Sequence, residues 1–147
     1  SARVYESEED CLAGVLDGDL ETLDEGVPPL DVVFTDPVFA SVGQTTQQLE
    51  RRGVAFEQAV KRFPEQGRGI VHGARYGALR LIAEPGVQGK VLGCQILGAR
   101  ADDLIHIPTA VISLGGTVEQ MLRIPWYHPT LAEAFVEVCR DLVNRAE

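Results

Sequence analysis

The sequence predicts an α+β domain in which helices pack on an antiparallel β-sheet. Short extended runs, separated by turn-forming residues, occupy positions 31–99 and predict the strands of that sheet. After position 100 the apolar residues recur at helical spacing instead. The 147 residues, 45% of them hydrophobic, are enough for one domain with a substantial core.

Five extended segments make up the predicted sheet. In order, they are Asp31–Thr35, Val38–Val42, Val54–Arg62, Gly73–Ala83 and Lys90–Ala99. A turn at Asp36-Pro37 separates the first two, and the third alternates between apolar and polar residues as a strand does. The run 84–89 (EPGVQG) is rich in turn formers, so we expect the last two strands to form a hairpin.

Helices are predicted where capping residues precede apolar periodicity. A Thr45–Gln48 capping box begins a short helix that ends at Gly53, and Thr117 with Gln120 begins another that ends before Pro125. A third helix, capped by Asp102 or Asp103, runs to about Leu114, and Pro108 should delay or kink it. The last helix is expected from Leu131 to about Asn144.

The net charge of −9 is concentrated at the N-terminus. Residues 1–31 carry ten acidic side chains and one basic side chain, whereas residues 32–147 carry twelve of each. We therefore interpret residues 1–30 as an acidic leader, either a linker or a remnant of a preceding domain, and residues 31–147 as the domain proper. Five apolar leader residues recur at helical spacing, and the break at 26–29 (GVPP) marks the boundary: Leu12, Val15, Leu16, Leu20 and Leu23.

Composition excludes several classes of function. The domain is neutral and has no basic stripe, which disfavours nucleic acid as a partner. No apolar run reaches the roughly 20 residues of a membrane span, and no signal peptide is visible. The three cysteines (Cys11, Cys94 and Cys139) are far apart, so we expect free thiols, a cytoplasmic location and no structural zinc site.

The segment His128–Glu133 (HPTLAE) is the strongest candidate for chemistry. Thr130 is the predicted N-cap of the last helix, and Glu133 at the third helical position points back toward His128. An imidazole held by a carboxylate has a fixed tautomer, which suits a general acid/base near neutral pH. The same pattern is also an ordinary capping box, and the two roles are compatible. Trp126 and Tyr127, just before it, are expected to be core or interface aromatics.

Five motifs occur in the order found in one domain family: Val33–Pro37 (VFTDP), Ala40–Thr45 (ASVGQT), Leu92–Gly98 (LGCQILG), Ala101–Ile105 (ADDLI) and His128–Glu133. On these residues the chain resembles the C-terminal dimerisation domain of the FAD-dependent pyridine nucleotide-disulfide oxidoreductases, which include glutathione reductase and dihydrolipoamide dehydrogenase. The resemblance spans residues 31 to about 143. The HPTLAEA run looks most like the dihydrolipoamide dehydrogenases.

The resemblance implies that the domain forms a homodimer and completes the active site of the partner subunit. His128 would be the acid/base facing the partner's redox-active disulfide, and Glu133 would hold its imidazole. The backbone of His128 and Pro129, whose peptide bond could be cis, would approach the partner's FAD. The full-length parent would use FAD and NAD(P) bound by upstream domains.

The chain itself has no G-x-G-x-x-G dinucleotide fingerprint and no C-x4-C redox pair. We therefore predict that this chain alone binds no cofactor and has no reductase activity. The alternative is a non-catalytic oligomerisation or binding module, in which the H-P-T-x-x-E segment is only a helix cap.

Overall fold

The computed structural model describes residues 27–146 and contains a five-stranded sheet with helices. The strands are β1 (Leu30–Val33), β2 (Phe39–Gly43), β3 (Glu57–Arg62), β4 (Ala78–Ala83) and β5 (Val91–Leu97). All neighbouring strands are antiparallel, in the order β1-β2-β5-β4-β3. The predicted fold class and the β4–β5 hairpin are confirmed.

The helices are short except for the last. They are α1 (Thr46–Arg51), α2 (Gly67–Val71), α3 (Ala101–Leu104), α4 (His106–Ser113), α5 (Val118–Leu122) and α6 (Ala134–Ala146). Two 3₁₀ turns, Phe63–Glu65 and Leu131–Glu133, precede α2 and α6. None of these helices is long and apolar enough to cross a lipid bilayer.

The core lies between the sheet and the helices. Val42, Cys94 and Leu81 are neighbours across β2, β5 and β4, and each is fully buried. Phe135 of α6 and Met121 of α5 belong to the same buried cluster. The buried side chain of Phe135 therefore anchors the start of α6, where the His128 segment ends, against this packed core.

Several predicted boundaries were wrong. The third strand begins at Glu57 instead of Val54, and the fourth begins at Ala78 instead of Gly73. Positions 67–71 form a helix, and Gly73 and Gly77 both have a positive φ. The helix expected after Asp102 begins at Ala101, and its N-cap Arg100 makes no side-chain capping bond. That helix is broken at Ile105, as Pro108 predicts, because a proline has no N–H to donate within a helix.

The N-terminal boundary stays a prediction. The leader helix proposed from Leu12 to Leu23 lies outside the described residues. Strand β1 begins at Leu30, one position before the predicted start of the domain.

Candidate functional site

The turn before α6 orients the candidate carboxylate. Thr130 is the N-cap of the 3₁₀ turn Leu131–Glu133, and its backbone N–H donates to Oε2 of Glu133 at 2.9 Å. The Thr130 hydroxyl donates to the Tyr127 carbonyl at 2.8 Å. These two local hydrogen bonds fold the segment back on itself, so the Glu133 carboxylate points toward His128.

His128 and Glu133 are in direct contact. Nδ1 of His128 lies 2.9 Å from Oε1 and 3.0 Å from Oε2 of the carboxylate. Because an ionised carboxylate can only accept hydrogen bonds, Nδ1 carries the proton and Nε2 is left free to accept one. The imidazole is 80% exposed while the Glu133 side chain is 23% exposed. The free nitrogen is therefore available to a molecule outside this chain.

The carboxylate of Glu133 is stabilised in its ionised form. The hydrogen bond from the Thr130 backbone N–H is the main cause that lowers the pKa of Glu133. Burial acts in the opposite direction and raises the pKa of Glu133, whereas the hydrogen bond and the charge of His128 lower it further. Glu133 therefore remains an anion at neutral pH and can hold an imidazolium as well as an imidazole.

The residues next to the pair have distinct roles. Trp126 is half-buried, donates its indole N–H to the Met121 carbonyl at 3.0 Å and stacks on Phe135 with ring centroids 5.9 Å apart. Tyr127 is 81% exposed. The His128–Pro129 peptide bond is cis. Trp126 is thus the core aromatic that the sequence predicts, whereas Tyr127 lies on the surface of this chain.

A cleft of about 530 Å³ opens beside the pair. It is lined by His128 and Glu133, by Arg140 of α6, and by Gln66 and Arg68 at the start of α2. Gln66 and Arg68 are not among the residues that the sequence predicts for this site, because no helix is predicted at positions 67–71. The only available signal was a glutamine followed three residues later by a glycine, which is a weak cap pattern.

Gln66 joins α2 to the His128 segment. It is only 3% exposed, and its side-chain oxygen accepts from the Gly69 N–H at 2.8 Å as the N-cap of α2. Its side-chain amide donates to the Thr130 carbonyl at 2.8 Å, across 64 positions of sequence. One buried side chain therefore fixes the distance between the two walls of the cleft.

The other reactive residues of the described chain do not converge on this site. His72 and His106 are both exposed. The apolar run Leu104–Ile107 predicts a partly buried, hydrogen-bonded His106, and that prediction is wrong. Cys94 and Cys139 are buried free thiols, and burial raises the pKa of Cys139 to about 12. Within residues 27–146, no three His, Cys, Asp or Glu side chains cluster as metal ligands.

A family comparison decides what this domain is. Residues 30–139 match the dimerisation domain of the pyridine nucleotide-disulphide oxidoreductases. The chain belongs to this family.

Curated relatives of this dimerisation domain carry three kinds of name. A soluble pyridine nucleotide transhydrogenase of Mycobacterium tuberculosis is 32% identical over 113 residues, covering 77% of this chain and 24% of the relative. A mercuric reductase of Streptomyces lividans is 40% identical, over 81% of this chain and 25% of the relative. A dihydrolipoyl dehydrogenase of Haloferax volcanii is 34% identical, over 78% and 24%. The chain thus spans about a quarter of their length.

Solved structures share the fold of the dimerisation domain. LpdA from Mycobacterium tuberculosis superposes with a TM-score of 0.73 at 20% identity, covering 91% of this chain and 29% of that protein. The HOCl-induced flavoprotein disulfide reductase RclA from Escherichia coli gives 0.72 at 20% identity, covering 90% and 31%. In both proteins the matching region is less than a third of the chain.

Proposed function

We propose that this domain supplies His128 and Glu133 to the active site of a partner subunit in a disulfide oxidoreductase of the dihydrolipoamide dehydrogenase type. The observation that carries the proposal is the contact of 2.9 Å between His128 and Glu133, made by an imidazole that is 80% exposed. The domain thus presents an oriented acid/base group at its surface. The described part of the chain contains no substrate for this group.

The chemistry of thiol–disulfide exchange needs such a group. Nε2 of His128 takes the proton of a substrate thiol, and the thiolate attacks one sulfur of the partner's redox disulfide. A substrate–protein disulfide forms, the S–S bond of the partner breaks, and the sulfur that leaves carries the negative charge. Glu133 stabilises the imidazolium that results. In the reverse direction the imidazolium returns its proton to a leaving thiolate.

We propose that the redox cofactors bind to other domains of the full-length protein. The 147 residues contain no G-x-G-x-x-G fingerprint, so they provide no dinucleotide site of the Rossmann type. FAD and NAD(P), as in full-length family members, would supply the electron transfer in upstream domains. His128 and Pro129 are both exposed in this chain. In this proposal their backbone would lie close to the flavin bound by the partner subunit. We expect the isolated chain to be colourless.

The homodimer is a proposal supported by the family and by the surface. Several large apolar side chains are exposed, including Phe34 (78%), Leu114 (86%) and Tyr127 (81%). Contiguous apolar patches are typical of faces that bury against another chain, and we propose that some of these side chains belong to such a face. A symmetric dimer would join the same patch of two copies, and light scattering should give twice the monomer mass. A monomer at high concentration would contradict it. A cytoplasmic location stays a prediction from sequence.

The decisive experiment removes the imidazole in the full-length protein. His128→Ala should lower dithiol turnover about 100- to 10,000-fold, the usual contribution of a placed acid/base, and leave the dimer intact. His106→Gln is the matched control, because His106 is also exposed but lies on α4, outside the cleft. Turnover within twofold of wild type in His128→Ala would exclude the acid/base role.

A structural oligomerisation module is the second candidate function. It is favoured by the hydrogen bond between the Thr130 N–H and Glu133, which caps the last helix whether or not His128 acts. Glu133→Gln separates the two functions, because an amide oxygen still accepts from Thr130 but has no charge to stabilise an imidazolium. If Glu133 only caps the helix, turnover should be unchanged in this variant. If Glu133 also stabilises the imidazolium of His128, turnover should fall strongly.

A further inference from the structure

The cleft beside His128 is lined by two arginines that thiol–disulfide exchange itself does not require. We propose that Arg68 and Arg140 bind a carboxylate on the thiol or disulfide substrate, and so determine substrate specificity. The inference rests on the proposed function of His128, because it names the substrate class of the same site. Neither arginine touches the reacting sulfur in this proposal.

The size of the cleft suits a small ligand. Its volume of about 530 Å³ lies within the range of roughly 300–1,000 Å³ that is common for small-molecule sites. Glu133, Glu137 and Arg140 recur at helical spacing along the last helix, so they line the same side of the cleft. Arg68 lies on the opposite wall with α2.

The charges in the cleft are not balanced by internal pairing. Glu137 is paired with Lys61 at 2.7 Å, and Glu133 is occupied by Thr130 and His128. In the described part of the chain, neither the guanidinium group of Arg68 nor that of Arg140 makes a hydrogen bond or an ion pair. The acidic groups are therefore occupied while both guanidinium groups have free donors. A planar guanidinium donates two parallel hydrogen bonds to a carboxylate.

A carboxylate matches these arginines in shape. Its two oxygens accept two parallel hydrogen bonds from the planar fork of one guanidinium. The two arginines contribute two positive charges to the cleft, whereas the carboxylates of Glu133 and Glu137 are already held by His128 and Lys61. The proposed substrate therefore carries a carboxylate.

The buried Gln66 makes the arrangement rigid on the α2 side. Arg68 follows this residue by two positions, and Gln66 is bonded both to Gly69 of α2 and to the Thr130 carbonyl. The start of α2 therefore cannot move away from the His128 segment without breaking the hydrogen bond between the buried Gln66 side chain and the Thr130 carbonyl. Such a fixed distance between an acid/base group and a cation suits discrimination by charge.

The kinetic test uses two substrates that differ only in the relevant charge. Dihydrolipoate ends in a carboxylate and dihydrolipoamide in a neutral amide. In the full-length protein, Arg68→Met and Arg140→Met should each lower kcat/KM for dihydrolipoate about tenfold or more, as expected for loss of a charge-assisted hydrogen bond. Turnover of dihydrolipoamide should stay within twofold of wild type.

Two further variants keep the test interpretable. Arg51→Met removes an exposed arginine of α1 outside the cleft and should change neither substrate. Arg68→Lys keeps the charge but loses the planar fork, so dihydrolipoate should fall less than in Arg68→Met. Equal losses for both substrates, or a loss of dihydrolipoate turnover in Arg51→Met as well, would overturn the proposal.

A binding measurement separates this proposal from the acid/base role. Lipoate, but not lipoamide, should shift the side-chain N–H resonances of Arg68 and Arg140 when it is titrated into the 147-residue chain. If lipoate causes these shifts but His128→Ala has normal turnover, the carboxylate site is retained and the acid/base function is excluded. If His128→Ala loses most of its turnover but the arginine resonances respond equally to lipoate and lipoamide, the acid/base function is retained and the carboxylate site is excluded.

Discussion

Replacement of Gln66 tests how the two walls of the cleft are joined. Gln66→Met keeps nearly the same side-chain volume but removes both the donor and the acceptor. The Gly69 N–H and the Thr130 carbonyl, each 2.8 Å from the Gln66 side chain, then lose their partner. The loss of stability should therefore report on hydrogen bonding more than on packing.

The magnitude follows from the burial of the two groups. An unpaired buried polar group costs about 1–3 kcal/mol, and this full cost applies to the N–H of Gly69, which is buried. Thr130 is only half-buried, so water can replace the lost donor and the net cost falls to about 0.5–1.5 kcal/mol. We expect Gln66→Met to lower the free energy of unfolding by about 1.5–4.5 kcal/mol, the sum of these two costs.

Urea unfolding of the 147-residue chain, followed by circular dichroism, measures this change. The dependence of the free energy on urea should stay as in wild type, so that only the midpoint moves. Gln47→Met is the control, because Gln47 is an exposed glutamine of α1 and its replacement should cost less than about 0.5 kcal/mol. A loss in Gln66→Met no larger than in Gln47→Met would refute the reasoning.

Two further predictions concern the same region. Gly69→Ala should unfold at a lower urea concentration than Gly67→Ala, because a Cβ at Gly69 would lie 2.0 Å from the Phe63 carbonyl oxygen and one at Gly67 would meet nothing within 4 Å. Equal midpoints would contradict this close approach. The lowered pKa of Glu133 means that its carboxylate stabilises the fold above the ordinary value of 4.5 and loses that effect as the pH falls through the folded-state pKa. The stability difference between wild type and Glu133→Gln should therefore shrink in acid; a constant difference would exclude this linkage.

The elements that the sequence predicts well are those with local signals. The β4–β5 hairpin follows from the run at positions 84–89, which is rich in turn-forming residues. The capping boxes at Thr45 and Thr117 begin α1 and α5 because the capping residue and its partner are three positions apart. Such signals need no information from the rest of the chain.

The segment at positions 67–71 shows where local signals are insufficient. Its sequence, GRGIV, combines two glycines with two β-branched residues, none of which favours a helix. The helix nevertheless forms, with Gln66 as its cap and with Gly69 close against Phe63. Its formation depends on packing and on the distant Thr130 carbonyl, so tertiary contacts override local propensity.

The sequence by itself determined the family, the fold class and the contact between His128 and Glu133, because that contact closes over five positions and follows from helix capping. Only the tertiary structure decided what surrounds the imidazole. Arg68 and Gln66 reach the cleft through a helix that precedes His128 by about sixty positions, and Arg140 reaches it along α6. Local sequence patterns do not predict that these side chains lie close to His128, because their position depends on how the sheet and the last helix pack together.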